Sequence, residues 1–272
     1  MLLSQSDSLT WDVIKTPVMY SFDGQIATSK DRFVIARSDT GANLGIVGEG
    51  YEPVQNSSLL AQVEPLESEG VLKRSNTGYL SGGRRVFVQS SLAEEFEVAG
   101  ETTKAMVTLL NGHDGKMSTK IGLTAIRVIC GNTFAMASTE MSVVIRHIRG
   151  ANDRVLTNEF VREFTNEQMG IYAQNMESLK STSCSVGTFE SIMTKVFKKE
   201  NATQVREMDD LIHLFRNGAG NEGRTLADAF NSVTDFSSHR SAKSPDRLYL
   251  SSNFGRGAAL SARAWDLTLA AV

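Results

Sequence analysis

The spacing of apolar residues changes once along this chain, near residue 150, and few architectures accommodate both sides of that change. From Trp11 to about Arg149 the text alternates. Arg32-Phe33-Val34-Ile35-Ala36, Arg85-Val86-Phe87-Val88-Gln89 and Ser142-Val143-Val144-Ile145-Arg146 carry the period-2 fragments of strands. After Gly150 the apolar positions recur at about 3.6 residues, through Thr157 to Leu179, Thr188 to Lys198, Thr203 to Arg216, Thr225 to Ser238 and Ala258 to Ala271. Five helices are predicted there, the first four starting at a threonine that can bond a free helix-terminal N–H. Two helices are also expected to interrupt the first half. One is Asn56 to Glu69, capped by Asn56 ahead of a Leu59/Leu60/Val63/Leu66 stripe, and the other is Leu123 to Ser138, where Ile126, Ile129/Cys130, Phe134 and Ala137 recur at helical spacing. The fold class that follows is α+β: a mixed antiparallel-sheet core domain over residues 1–150, then a helical region over 151–272.

Length and composition agree with a packed core. The 272 residues correspond to one large domain or two small ones, and the 41% hydrophobic content is that of an ordinary globular chain. Four prolines exclude a Pro-rich linker, while 22 glycines predict many tight turns. Against 31 acidic residues stand 28 basic ones, a net charge of −3, so the chain as a whole lacks the basic excess of many nucleic-acid binders, although a local basic surface remains open to it. The opening MLLSQSDSLTW has no cationic segment followed by an apolar run, and no stretch is long and apolar enough for a membrane helix, so a soluble, unexported chain in a reducing cytoplasm is expected. Cys130 and Cys184, in unrelated contexts, read as reduced and inert, Cys130 as a buried member of a helical face.

Two segments invite a chemical reading. Asn111-Gly112-His113-Asp114-Gly115-Lys116 is expected to be a hairpin loop; Asn, Asp and Gly are turn formers, and the loop would display His113, Asp114 and Lys116 as an exposed cluster, with Asn111 a further loop candidate. No HxH, HExxH or acidic pair completes a metal ligand set, and no cofactor-binding motif is present, so neither metal nor cofactor is expected. Ser81-Gly82-Gly83-Arg84-Arg85 leads into a strand and lacks the spacing of a phosphate-binding glycine loop. It reads as a hairpin turn that sets Arg84 and Arg85 on opposite strand faces, where adjacent arginines can grip phosphates.

A set of motifs, taken in order, is recognisable: Trp11 with Pro17; Arg37-Ser38-Asp39-Thr40-Gly41 with Leu44-Gly45-Ile46-Val47-Gly48; Tyr51-Glu52-Pro53-Val54-Gln55-Asn56; Gly82-Gly83-Arg84-Arg85; the Asn111 to Lys116 loop; Arg127-Val128-Ile129-Cys130-Gly131-Asn132-Thr133; Arg146-His147; and Asn231-Ser232-Val233-Thr234-Asp235 within the Gly223 to Arg240 stretch. Their order over nearly the full chain resembles the phage/plasmid-like protein family, a domain family of unknown function. The resemblance implies mobile-element biology. It also implies a distant fold-level similarity to Erf/Redβ-like single-strand annealing recombinases, through a hairpin sheet over 84–122 followed by a helix over 123–138.

The function expected on that basis is single-stranded DNA binding and annealing without covalent catalysis, by a possible homo-oligomer, with Arg84, Arg85, Lys116, Lys120, Arg127 and Arg146 as phosphate contacts. Two alternatives belong to other classes. One is an interaction protein, such as a host-defence inhibitor or structural subunit, bound to a host or phage protein. The other is a metal-dependent nuclease built on His113, Asp114 and His147.

Overall fold

The computed structural model describes residues 9–129, 131–135, 142–145, 147 and 158–272. Its first half holds two antiparallel sheets. The smaller is β1 (Val13–Phe22), β2 (Gln25–Arg37) and β3 (Asn43–Gly48) in that order. Phe22 pairs with Gln25 across a two-residue turn in which Asp23 and Gly24 both take positive φ, 50° and 72°. Such a turn has the twist that a hairpin needs. The hairpin reaches past the core, and its outer end leaves Met19, Tyr20, Phe22 and Ile26 exposed, Phe22 to 77%.

The larger sheet runs β4 (Leu72–Leu80), β5 (Arg85–Val98), β6 (Glu101–Gly112) and β7 (Thr119–Arg127). Two short strands share the free edge of β7, β8 (Thr133–Ala135) along Thr124–Ile126 and β9 (Ser142–Ile145) along Thr119–Gly122. Alternation divides its side chains between two faces. Val86, Val88, Ala105, Val107, Leu109, Ile121, Leu123 and Ala125 are buried on one, in a core cluster that also holds Leu59, Val63 and Leu66. The other face carries Phe87, Gln89, Thr108 and Thr124, also buried.

Helices complete the core. In the first half are α1 (Asn56–Ala61) and α2 (Glu64–Ser68); in the second are α3 (Asn158–Ser181), α4 (Val186–Val196), α5 (Met208–Asn217), α6 (Leu226–His239), α7 (Pro245–Phe254) and α8 (Arg256–Leu269). Phe134 of β8 meets Tyr172 of α3, Phe230 of α6 and Trp265 of α8 at ring separations of 5.9, 5.2 and 5.1 Å, joining sheet and helices in one aromatic cluster. On the opposite sheet face Phe87 packs against Phe254 and Tyr249, at 4.8 and 6.2 Å, so α7 covers that side. No helix among the described residues is long and apolar enough to cross a membrane.

The α+β class, sheet first and helices after, is the one expected from the change of period. Several elements differ. The helix expected over 123–138 is strand as far as it is described. Residues 123–127 continue β7, a turn follows with Gly131 at φ 68°, and β8 returns along the same edge. The sheet-then-helix order on which the similarity to annealing recombinases rested is therefore not made by these residues. The 56–69 helix is two short ones that break at Gln62–Val63, the second holding Pro65 in its first turn. Thr203 lies inside a single 3-10 turn, Ala202–Gln204, capped by Asn201, and α5 begins at Met208. Helix α4 is capped by Ser185 rather than Thr188, whereas Thr225 caps α6 in a reciprocal box with Asp228. Helix α7 is a sixth, unexpected one. Cys184 is a buried free thiol, pushed up to about 11 by that burial; Cys130, Ala137 and Thr157 lie outside the described residues.

Candidate nucleic-acid interface

The segment between β6 and β7 is a loop, as its composition predicts, but its polar residues point inward. Asn111 is fully buried: its amide nitrogen donates to Val54 O at 3.2 Å, and its Oδ1 accepts from the Thr119 hydroxyl at 2.7 Å. His113 is also fully buried, which corrects the expectation of an exposed cluster. Its backbone N–H donates to Arg84 O at 2.8 Å, and its ring stands edge-on to Trp11 at 5.6 Å.

The partners fix both histidine tautomers. Asn56 gives its amide hydrogens to Trp11 O, so its Oδ1, 3.0 Å from His113 Nε2, accepts and Nε2 carries the proton. Asn56 thus ties the loop to the segment just before β1 instead of capping α1, whose cap position, Gln55, makes no side-chain cap bond. Thr119 spends its one hydrogen on Asn111, so His147 Nε2, 3.3 Å away, donates to the threonine oxygen. Both Nδ1 atoms are then bare acceptors, buried and without a hydrogen-bond partner among the described residues. Burial lowers both pKa values to about 4, with the mutual repulsion of the two rings a further cause at His113, so both imidazoles are neutral at pH 7. Tyr51 closes the network, stacked on His147 at 5.0 Å and donating to Gly112 O at 3.0 Å. Burial, then the nearby Asp114 charge, pushes its hydroxyl well above the ordinary range.

Backbone contact seats the loop as well. A Cβ on Gly45 of β3 would lie 2.8 Å from Asp114 Cα, so this strand can touch the loop only with glycine there. The Asp114 carboxylate itself accepts from Lys116 N at 2.9 Å, an ordinary turn contact. On the Arg84 side, Gly83 takes φ 103°, and a Cβ there would lie 3.1 Å from the Arg37 side chain and 3.2 Å from the Trp11 ring. Arg37 lies between the Trp11 and Tyr79 rings, 4.4 and 4.7 Å from their centres, and is clamped by both Asp39 oxygens at 2.7 and 2.9 Å. The recognisable Trp11, Arg37–Gly41, Asn56 and Gly82–Gly83 residues are in this way one scaffold beneath one end of the large sheet.

That end displays cations. Arg85 pairs in register with Gly112 and Lys120 with Leu110, which brings the ends of β5, β6 and β7 together. Arg84, Arg85 and Lys116 are exposed, Lys120 half-buried. Among the described residues none of the four has a carboxylate within ion-pair distance. Arg84 is the cap of the 3-10 turn at Ser81–Gly83 rather than a strand residue, so the expected placement of the two arginines on opposite faces of one strand does not apply.

Arg127 does not belong to this set. It sits at the far end of β7, opposite Thr103, with both Glu101 oxygens at 2.6 and 2.7 Å and a side chain only 6% exposed. Its guanidinium also reaches Ala219 O at 3.4 Å, which makes it a clamp between sheet and helical region and corrects its reading as a phosphate contact. Arg146 lies outside the described residues. The fold does bring His113 and His147 together, which sequence spacing alone did not require. Among the described residues no three His, Cys, Asp or Glu side chains share a site that could hold a metal ion.

No curated protein and no solved structure matches the chain. A family model described as a domain of unknown function, DUF932, matches residues 43–264, which takes in everything from β3 through most of α8. By that match over most of its length, the chain belongs to the DUF932 family.

Proposed function

We propose that this protein binds single-stranded DNA non-covalently through the end of the large sheet that carries Arg84, Arg85, Lys116 and Lys120. The observation that carries the reading is their concentration, without acidic partners among the described residues, on a chain whose net charge is −3. Cations left unneutralised together are suited to a polyanion. The buried Asn111, His113, Thr119 and His147 network anchors the loop that carries Lys116, and the His113 backbone N–H ties that loop to Arg84. The resemblance to phage/plasmid-like proteins supports a mobile-element setting in the host cytoplasm for this binding, and annealing, with phosphates held and bases left free to pair, is the form of it that we propose.

Fluorescence anisotropy of a labelled 30-nucleotide single strand tests the proposal. Four phosphate contacts give a salt slope of roughly −2.8, so affinity should fall roughly 10²–10³-fold between 20 and 200 mM salt. No binding at 20 mM would overturn it.

One observation favours a second reading, an interaction protein or self-assembling subunit. The β1–β2 hairpin exposes Met19, Tyr20, Phe22 and Ile26 together at its outer end, and clustered exposed apolar side chains mark contact sites more often than chance surface. Sedimentation velocity distinguishes the two: a mass that depends on concentration and is lost on replacing Phe22 and Ile26 by Thr favours assembly through this end.

A further inference from the structure

On the face of the large sheet that α7 covers there is a cleft of about 440 Å³, within the size range of small-molecule sites. Its floor is Gln89 of β5 and Asn253 of α7, its walls Met106, Ile126, Leu248 and Pro245, and its rim includes Asn76 and Ser238. The floor is locked in one arrangement. Gln89 donates to Thr108 Oγ1 at 2.9 Å and to Asn253 Oδ1 at 3.1 Å, and its own oxygen accepts from the Tyr249 hydroxyl. Asn253 spends its hydrogens on Tyr249 O and Ser252 Oγ, at 3.0 and 3.3 Å.

With those hydrogens committed, the floor offers oxygen lone pairs and asks for N–H donors from whatever enters. At the rim Ser238, which accepts from Thr133 N at 2.8 Å, keeps a hydroxyl hydrogen to donate. None of the lining residues is charged. An ionic group would lose its hydration here without a counter-charge, so the occupant is neutral. Apolar walls facing a hydrogen-bonding floor suit a flat ring that stacks on its faces and bonds at its edge.

We infer that this cleft binds a nucleobase through its amino or amide N–H edge. Alternation puts Arg85, Phe87 and Gln89 on one face of β5, and the register adds Lys120, opposite Leu110, to that same face. Two of the proposed phosphate contacts thus share a face with the cleft. Gln89 is four residues from Arg85, roughly 13 Å along the strand, with Phe87 and Phe254 packed between them. A strand whose backbone lies on the basic end can deliver one of its bases to the cleft. In identifying the neutral ring as a base the inference rests on the strand-binding proposal, and its test separates the two.

The full chain is titrated with two labelled single strands of equal length, one with normal bases and one abasic throughout. The wild type should prefer the normal strand by at least roughly fivefold, the low end of what one stacked base contributes. Met106→Trp, which fills the cleft from a half-buried wall position, should lose that preference while keeping the salt slope. Asn76→Leu provides a second variant with the cleft open but a rim amide removed, and it should lose part of the preference. Equal wild-type affinity for the two strands would overturn the cleft assignment and leave phosphate binding standing. If neither strand binds, the strand-binding proposal fails by itself, and titration with free adenosine and cytidine followed by NMR decides the cleft: shifts at Gln89 and Asn253 amides that Met106→Trp abolishes uphold it, and no shifts overturn it.

Discussion

His113 and His147 do their work by being neutral. Each has its Nε2 hydrogen committed to a buried oxygen and its pKa held near 4, while in the unfolded chain each titrates near 6.5. Between those values the unfolded state takes up protons that the folded state refuses, so stability falls as pH drops from 6.5 toward 4 and is flat above about 7. The full slope is about 1.4 kcal/mol per pH unit for each histidine. Urea unfolding at half-unit intervals should show it, and His113→Gln should remove part of it; a wild-type profile flat from 7 to 4.5 would contradict the buried neutral pair. Arg127 makes the opposite kind of contribution. With its side chain buried against Glu101, Arg127→Met leaves a partly buried carboxylate unpaired and should cost about 2–4 kcal/mol. Because Arg127 is at the far end of β7 from the basic set, the folded variant should keep the wild-type salt dependence for single-stranded DNA. A reduced slope in that variant would return Arg127 to the interface.

Among the elements, the β1–β2 hairpin is the one whose outer part contributes least to the core. Replacing Met19, Phe22 and Ile26 together by Thr should change the unfolding midpoint by no more than about 0.5 kcal/mol equivalent, since their side chains are exposed. A larger loss would mean that the tip packs on something within the monomer. Which elements the sequence declares follows from how they are buried. Strand β5 announces itself by its β-branched and aromatic run Val86-Phe87-Val88, and α6 by a threonine cap followed by a 3.6 repeat. Strand β7 does not alternate, because Ile121, Leu123 and Ala125 on one face and Gly122 and Thr124 on the other are all buried. A strand apolar on both sides has no period of its own, and Ile126, Ile129 and Phe134 happened to fall at helical spacing across what is really a turn. Helix α7 escaped for the reverse reason. Its sequence PDRLYLSSNF has no apolar stripe, because it packs through Tyr249, Asn253 and Phe254, two of them with polar ends that bond Gln89. The loop at 111–116 was legible as a turn, but its buried partners Asn56, Thr119 and His147 come from three separate places in the chain, and only the fold brings them together.

Over the whole molecule, sheet and helices share one core. The buried cluster extends from Leu9 to Trp265, and Phe134 of the sheet is enclosed by aromatic rings of three helices. One cooperative transition, coincident by far-ultraviolet circular dichroism and tryptophan fluorescence, is therefore expected on urea unfolding; two separated transitions would show that residues 1–150 and 151–272 are stabilised independently. This single core supports an end of the large sheet that carries four cations with no carboxylate at ion-pair distance among the described residues, and phosphate binding there is the central functional claim. It is tested by the salt dependence of single-stranded DNA binding in the wild type and in a folded protein carrying Arg84→Ala, Arg85→Ala, Lys116→Ala and Lys120→Ala together. Loss of four phosphate contacts should flatten the log-log slope by roughly 2.8 and weaken binding at low salt irrespective of base sequence. A quadruple variant with the wild-type fold, affinity and slope would contradict the claim and remove this end of the sheet from any nucleic-acid site.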